Sequence, residues 1–248
     1  MLNIILSGAC GRMGREIAAI AESHQVNILA GVDVKGEAYA AFPVFPCYDL
    51  CTAADKAQVL VDFTRAENLS SVLQYACMHK LPLVLAATGY QKSDISMIED
   101  AAKEIPIFRS ANMSLGVHVL KLLSRQAAQL LKDFDIEIVE KHHNQKLDAP
   151  SGTAELLYDT VASADSEPVY GRHDRTQRRG KNEIGLLSVR GGTVTGEHEV
   201  GFYGQGETVL LSHSAQNRSI FAHGAMRAAQ FITAQAPGLY CMDDMIHL

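Results

Sequence analysis

The sequence lacks long apolar runs, has few cysteines and carries no excess of positive charge. No apolar stretch approaches the roughly 18 residues of a membrane-spanning helix, and Leu81–Thr88 is only strand-sized. The five scattered cysteines predict free thiols of a reducing cytoplasm rather than a disulfide framework. The formal charge of −6 argues against a general nucleic-acid-binding protein. The first residues form an apolar strand without a preceding basic region, so no signal peptide is expected.

The chain has 248 residues, of which 47% are apolar and 19 are glycine. This length suits one large domain or two small ones, and it can bury a core without disulfides or metal. The composition is that of an ordinary, glycine-rich soluble enzyme.

The first part of the chain alternates apolar runs with amphipathic stretches, a rhythm typical of a parallel sheet covered by helices. The pattern predicts strands over Leu2–Leu6, Val26–Val32, Val59–Phe63, Leu81–Ala86 and Ile105–Phe108. It predicts helices over Arg12–Glu22, Ala66–Lys80 and Ser93–Glu104, with Ser93 as an N-cap.

After about residue 110 the rhythm changes to strands without helices between them. Helices are predicted over Val117–Leu131, Ala154–Ala162 and Ile220–Ala234, and strands over Ile136–Val139, Gly185–Val189, Glu197–Phe202 and Thr208–Ser212. We therefore expect an α/β protein with a dinucleotide-binding domain of residues 1–112 and 219–248. Residues 113–218 are expected to form a second, α+β domain.

A glycine-rich loop links the first predicted strand to the first predicted helix. Gly8 suits a tight turn, Gly11 would let the backbone approach a pyrophosphate, and Gly14 would allow close helix–strand packing. Asp33 ends the second strand, at a spacing typical of an acid that binds the adenosine ribose. The alternative is a tight turn without a ligand.

The sequence leaves the choice of nicotinamide cofactor open. The carboxylate of Asp33 favours the free 2′-hydroxyl of NADH. Lys35 could reach the 2′-phosphate of NADPH, or it could be an ordinary solvent-facing lysine. Either cofactor is compatible with these residues.

The segment from Glu140 to Ala154 is rich in proton-active and turn-forming residues. His142 can exchange protons near neutral pH, and Lys146 can donate a proton or pair with an anion. Pro150 suits an early helical position, and Gly152 with Thr153 would present N–H groups to a carboxylate at a helix start. The adjacent histidines lack a third metal ligand at a recognisable spacing, so no metal is expected. Their alternative is a loop of solvated imidazoles.

These motifs together resemble the dihydrodipicolinate reductase family of lysine and diaminopimelate biosynthesis. The run from His142 to Ala154, with the pattern HHxxKxDAPSGTA, is highly specific to that family, whereas the glycine loop is not. The resemblance covers essentially the whole chain and includes further motifs at Val61–Thr64, Ala87–Tyr90, Ala111–Ser114 and Arg218–Arg227.

The resemblance implies an N-terminal Rossmann domain, a C-terminal α+β domain that assembles a homotetramer, and reduction of a cyclic dicarboxylate by NADH or NADPH. It implies His142 and Lys146 as the catalytic residues. It implies cofactor contacts from Gly8, Ala9, Cys10, Gly11, Arg12, Met13, Asp33, Lys35, Ala86, Ala87, Thr88, Ser110, Ala111, Asn112 and Met113. It implies substrate contacts from His143, Lys146, Ser151, Gly152, Thr153 and Arg218. Which of His142 and Lys146 delivers the proton stays open, as does a purely orienting role of Lys146.

Two features remain to be interpreted. The family often has Gly-Thr-Thr-Gly where this chain has Ala86-Ala87-Thr88-Gly89, which could weaken or redirect cofactor binding. The segment Gly171–Lys181 carries a charge of +4 and is either a solvated loop or an electrostatic collar for a dianionic substrate.

Two other function classes compete with the reductase. Another two-domain dehydrogenase should lack the run from His142 to Ala154. A redox-sensing NAD(H)-binding protein should lack it as well, or carry a DNA-binding element.

Overall fold

The structure, a computed structural model, describes residues 1–173 and 176–246. These residues form two compact units. The first consists of Met1–Leu115 and Arg218–Leu248, and the second of Gly116–Asn217. The expected domain boundaries, after residues 112 and 218, lie close to these limits.

The secondary structure comprises strands and helices that are numbered here in chain order. The strands are β1 (Leu2–Ser7), β2 (Val26–Val32), β3 (Val44–Phe45), β4 (Val59–Asp62), β5 (Leu83–Leu85), β6 (Pro106–Arg109), β7 (Asp135–His142), β8 (Glu167–Val169), β9 (Glu183–Arg190), β10 (Gly196–Tyr203), β11 (Thr208–Ala215) and β12 (Gly238–Tyr240). The α-helices are α1 (Arg12–Ile20), α2 (Leu69–Met78), α3 (Lys92–Ala101), α4 (Leu115–Leu130), α5 (Gly152–Val161), α6 (Ser219–Ile232) and α7 (Met242–Met245). Short 3₁₀ segments lie at Glu22–His24, Tyr48–Leu50, Ala54–Lys56 and Ala66–Asn68.

The first unit is built on a parallel sheet of seven strands in the order β12-β6-β5-β4-β1-β2-β3. Helices cover both faces, so Ile4, Ile5 and Leu6 of β1 are all fully buried and the strand is continuously apolar. One face packs under α1 and α6, and the other under α2 and α3. This confirms the expected Rossmann-type sheet.

The second unit is built on a mixed sheet of five strands in the order β11-β10-β7-β9-β8. β10 is antiparallel to both its neighbours, whereas β9 runs parallel to β7 and β8. α4 and α5 pack on one face around Ile138, Val200 and Phe202. Among the described residues of this unit, no helix covers the other face, where Val189 and Leu210 are about half exposed. The expected α+β architecture is confirmed.

Some local expectations were wrong. α3 begins at Lys92, so Ser93 lies inside the helix, and the carboxylate of Asp94 accepts a bond from the N–H of the N-cap Gln91 instead. Pro150 precedes α5 rather than starting it, because Ser151 is the N-cap and its Oγ accepts from the N–H of Ala154. β7 extends three residues past its expected end, to His142. The short strands β3, β8 and β12 were not anticipated.

No described helix combines the length and the apolar character needed to cross a membrane. In residues 1–173 and 176–246, no group of three or more His, Cys, Asp or Glu side chains is arranged to hold a metal ion.

Candidate active site

The carboxyl edge of the parallel sheet collects the residues expected to bind a dinucleotide. The glycine loop follows β1 and Asp33 follows β2 directly. Ala86–Thr88 follow β5, and Ser110–Met113 follow β6. Because all these strands are parallel, the four segments lie along the same edge, where open α/β sheets bind ligands.

Two glycines of the loop, Gly8 and Gly14, are required by its backbone geometry. Gly8 has a φ of +76°, and a Cβ there would lie 2.9 Å from the carbonyl oxygen of Phe63. A Cβ on Gly14 would lie 2.3 Å from the carbonyl oxygen of Ala9 and 2.4 Å from that of Gly8. Arg12 and Met13 then form the first turn of α1, whose N-cap is Gly11. The loop therefore presents a helix N-terminus with little side-chain cover, which suits a pyrophosphate.

Asp33, the expected ribose-binding residue, is hydrogen-bonded to the backbone of the glycine loop. Its Oδ2 accepts a hydrogen bond from the N–H of Cys10 at 3.0 Å, and its Oδ1 accepts one from the N–H of Lys35 at 3.1 Å. The side chain of Lys35 is exposed.

Tyr39 was not identified from the sequence, although it contacts the same loop. Its hydroxyl donates to the carbonyl oxygen of Ala9 at 2.7 Å, and the Arg15 guanidinium lies 4.3 Å from its ring centroid. Arg15 also donates to the carbonyl oxygen of Cys10 at 3.3 Å. A single tyrosine in a loop belongs to no sequence pattern that would have predicted these contacts.

Hydrogen bonds fix the loop after β5 to the end of β4 and stabilise the loop after β6 internally. The N–H of Ala86 donates to the carbonyl oxygen of Asp62 at 3.0 Å, and Ala87 is buried while Thr88 is exposed. Ser110 Oγ donates to the carbonyl oxygen of Asn112 at 2.7 Å. Ala111 is exposed and Met113 is buried.

Asp62 is a buried carboxyl group at the end of β4. It is 1% exposed, and Thr64 donates to its Oδ1 from Oγ1 at 2.8 Å and from N–H at 3.2 Å. Burial raises the pKa of Asp62 to about 6, although hydrogen bonds from Thr64 and Ser7 favour the carboxylate. The carboxyl group therefore anchors the loop after β4 to the end of β1.

A cluster in the second unit surrounds His142, the last residue of β7. His142 Nδ1 lies 2.6 Å from Oε2 of Glu140, two residues earlier on the same face of the strand. Arg190 of β9 donates to both oxygens of Glu140, with distances of 2.8 Å to Oε2 and 2.7 Å to Oε1. The N–H of Ser151 also donates to Oε1, at 3.1 Å. Glu140 is 1% exposed and His142 is 9% exposed.

A second histidine packs against this cluster. The rings of His142 and His198 are 5.2 Å apart and nearly perpendicular. Ser151 Oγ lies 3.1 Å from Nε2 of His198. Neither Glu140, Arg190 nor His198 was named as a site residue from the sequence.

The electrostatics of the cluster follow from burial and its charge pairs. Burial tends to raise the pKa of Glu140, but bonds from Arg190, His142 and Ser188 outweigh it and lower this pKa to about 2. Burial lowers the pKa of His142, against the raising effect of Glu140. Burial also lowers the pKa of His198, to about 4. The carboxylate is therefore ionised and both imidazoles are predominantly neutral at neutral pH.

The remaining expected substrate residues lie in two places. Lys146 Nζ lies 2.8 Å from Asp148 Oδ2 at the loop beside His142, and its charge contributes to the lowered pKa of His142. Nδ1 of His143 is buried and has no hydrogen-bond partner among the described residues. Gly152 and Thr153 are the first two residues of α5. Arg218 belongs to the first unit, where it is exposed at the N-cap of α6.

The basic segment does not surround the histidine cluster. Arg172 pairs with Glu137 and Glu183, and Arg179 pairs with Asp135 and Glu137. These carboxylates lie at the beginning of β7 and β9, and Glu137 is roughly 17 Å along the strand from His142. Asp174 and Arg175 lie outside the described residues. The ion pairs of Arg172 and Arg179 give no support to an electrostatic collar.

Comparison with known proteins agrees with this arrangement. Two family models match the chain, described as the N-terminus of dihydrodipicolinate reductase over residues 2–113 and its C-terminus over residues 116–246. A 4-hydroxy-tetrahydrodipicolinate reductase from Caldanaerobacter subterraneus subsp. tengcongensis is 46% identical, covering 99% of this chain and 98% of the relative. One from Clostridium tetani is 44% identical, covering 100% of this chain and 98% of the relative. A dipicolinate-bound dihydrodipicolinate reductase from Paenisporosarcina sp. TG-14 has the same fold, with a TM-score of 0.82, 21% identity and 97% of each chain covered. The chain thus belongs to the dihydrodipicolinate reductase family.

Proposed function

We propose that this protein reduces the cyclic dicarboxylate 4-hydroxy-tetrahydrodipicolinate, via dihydrodipicolinate, to tetrahydrodipicolinate in lysine and diaminopimelate biosynthesis. The observation that carries the proposal is the buried Glu140–His142 pair beside Lys146, at the start of a helix that begins with Gly152 and Thr153. Such a set combines proton-active groups with an anion-binding helix start, as reduction of a carboxylate-bearing imine requires. Because all five cysteines are free thiols, we place the reaction in the cytoplasm.

The first unit fits a nicotinamide dinucleotide. The backbone of Gly8–Met13 would hold the pyrophosphate, Asp33 the adenosine ribose, and Ala86–Thr88 with Ser110–Met113 the nicotinamide side. A bound reduced nicotinamide supplies the hydride. We propose that NADH and NADPH are both accepted and that NADH is preferred. Asp33 directly follows β2, whereas Lys35, the next basic residue along the chain, is two residues further and exposed.

The second unit would bind the substrate and supply the proton. The helix start at Ser151–Thr153, together with His143 and Lys146, would hold its carboxylates. Hydride addition to a conjugated imine leaves negative charge, which must be met by a proton. We assign delivery of that proton to Lys146, since burial lowers the pKa of His142 and keeps its ring neutral. His142, whose imidazole ring is neutral, then acts as the acid/base group beside Lys146.

The first prediction is turnover by the purified protein. With the product of the preceding aldolase-type synthase as substrate, we expect the 340 nm absorbance of NADH and of NADPH to fall, with a higher kcat/KM for NADH. The matched control omits the synthase from the coupled mixture. If neither nucleotide is oxidised, the proposed function is wrong; a preference for NADPH would overturn only the assignment to Asp33.

We also propose that the protein is a homotetramer assembled through the uncovered face of the second sheet. Leu187, Val189 and Leu210 on that face are 37%, 48% and 54% exposed. A sheet face that exposes several large apolar side chains next to one another favours association with another subunit.

The second prediction concerns this assembly. Light scattering on the wild type should give four times the chain mass of 26.9 kDa. The double variant Leu187→Asp and Val189→Asp should give a smaller species, because buried unpaired carboxylates are strongly unfavourable. The control Leu130→Asp changes an 83% exposed leucine at the end of α4 and should leave the mass unchanged. A monomeric wild type, or a tetrameric double variant, would refute the proposal.

A further inference from the structure

Glu140 is the most deeply buried charged side chain near the proposed catalytic histidine. Its carboxylate accepts two hydrogen bonds from Arg190, one from the backbone N–H of Ser151 and one from the side chain of Ser188. Its Oε2 also lies 2.6 Å from Nδ1 of His142. Burying a carboxylate is costly unless every oxygen is paired, and here both oxygens are. Because burying the Glu140 carboxylate is costly and one of its oxygens contacts a single nitrogen of His142, we expect this side chain to do more than fill space.

We infer that Glu140, clamped by Arg190, is a positioning residue for the reaction. It holds the proton of neutral His142 on Nδ1 and thereby makes Nε2 the proton-accepting atom of the ring. The inference rests on the proposed function for its catalytic meaning, but the tautomer itself is a property of the free protein.

The first step is the direction of the bond between Glu140 and His142. An ionised carboxylate has no hydrogen to donate and can only accept. The 2.6 Å contact therefore requires the proton on Nδ1 of His142, and this leaves the lone pair of the neutral ring on Nε2. A carboxylate that binds one imidazole nitrogen fixes both the tautomer and the ring orientation.

The second step is the space around Nε2. A Cβ built on Gly196 of β10 would lie 3.1 Å from this nitrogen, closer than an ordinary contact. Glycine at this position allows the ring to keep its orientation without displacing β10.

The third step links Glu140 to the expected carboxylate-binding helix. The N–H of Ser151 donates to Glu140, while Oγ of Ser151 accepts from the N–H of Ala154 as the N-cap of α5. One carboxylate therefore fixes both the catalytic imidazole and the start of the helix that carries Gly152 and Thr153. A shift of Glu140 would misplace the proton-active group and the carboxylate seat together.

Several ionisable groups face His142 and must be considered in any titration. Glu140 lies on its own strand, Lys146 on the following loop, Arg190 on β9 and His198 on β10, with His213 of β11 acting on His198. Of these, Glu140 raises the pKa of His142, whereas Lys146 and Arg190 lower it. Loss of the Glu140 charge should therefore move the titration of His142 to lower pH.

The test is the Glu140→Gln variant of the full-length protein, read by ¹⁵N NMR of the histidine side chains without substrate. The His142 signal is assigned by its loss in His142→Asn. In the wild type we expect Nδ1–H and an unprotonated Nε2. In Glu140→Gln we expect a mixture of tautomers and titration at lower pH. The same variant should lose roughly 10- to 100-fold in kcat, with an unchanged KM for the nucleotide, whose expected contacts lie in the other unit.

The matched control is Glu207→Gln, an exposed carboxylate between β10 and β11 that should change neither readout. If Glu140→Gln does not fold, Glu140→Asp keeps the charge but withdraws it from the ring, and the same mixture of tautomers is expected. A wild-type His142 protonated on Nε2 overturns the inference without any variant. So does a folded Glu140→Gln protein with the wild-type tautomer and the wild-type pH profile of kcat. Absence of turnover in the wild type would instead refute the proposed function and leave the NMR result standing.

Discussion

Replacing Lys146 by alanine is expected to lower kcat by about 100-fold or more, the range of a general acid, while the fold is retained. The side chain lies beside His142 and pairs with Asp148, so its removal leaves one partly exposed carboxylate rather than a core cavity. Steady-state kinetics with saturating NADH measures the loss, and circular dichroism checks the fold. His142→Ala should lower kcat at least tenfold by the same argument, since it removes the neutral partner at the reacting centre.

Lys146→Arg separates proton delivery from simple orientation of a carboxylate. Arginine keeps the positive charge but does not give up its proton at neutral pH. If Lys146 delivers the proton, the arginine variant should be nearly as slow as the alanine variant, with a smaller rise in the substrate KM. Near wild-type kcat in Lys146→Arg would show that orientation is its only role. Lys132→Ala, an exposed lysine after α4 in the same unit, is the control and should be unaffected.

Gly14→Ala is expected to weaken nucleotide binding at least tenfold and to destabilise the first unit by about 1–3 kcal/mol, the usual cost of overpacking. The new methyl group would lie 2.3 Å from the carbonyl oxygen of Ala9 and 2.4 Å from that of Gly8. Both obstacles are backbone atoms, so relief requires movement of the loop itself. That movement would disturb the N–H groups expected to hold the pyrophosphate.

Fluorescence titration with NADH and urea unfolding measure the two effects. Gly11→Ala is the graded comparison, because its methyl group would lie 3.1 Å from the Gly8 carbonyl oxygen and needs only a small adjustment. It should therefore lose less stability than Gly14→Ala. Equal free energies of unfolding for Gly14→Ala and the wild type, together with equal NADH affinity, would contradict this role of Gly14.

The sequence predicted those parts of the fold that carry long, continuous patterns. β1 and β2 are long apolar runs, and their presence was anticipated. β3 consists only of Val44 and Phe45, and β12 is three residues long, so neither contains enough residues to show a period. These edge strands exist because neighbouring strands offer free hydrogen-bonding groups, which no local pattern records.

The same limit explains which residues of the histidine cluster were not named from the sequence. His142 and Lys146 are close in sequence within a distinctive motif, so the sequence named them as candidates. Glu140 was assigned to a loop because β7 was expected to end at Val139; as part of the strand, its two-residue spacing places it on the face of His142. Arg190 and His198 reach the cluster through strand register, opposite His142 and Glu140 respectively. Register between distant segments is set by tertiary packing and could not be derived from one sequence.

The two units differ in the number of chain segments that form them: the first is made of two segments and the second of one. The second is a continuous segment, complete when residue 217 has been synthesised. The first needs α6, whose Ala222, Ala225, Met226 and Ile232 are fully buried against the sheet. During translation, the sheet face covered by α1 and α6 therefore remains without α6 until nearly the whole polypeptide has been made. The second unit has all its residues before the first does, although the first contains the N-terminal residues.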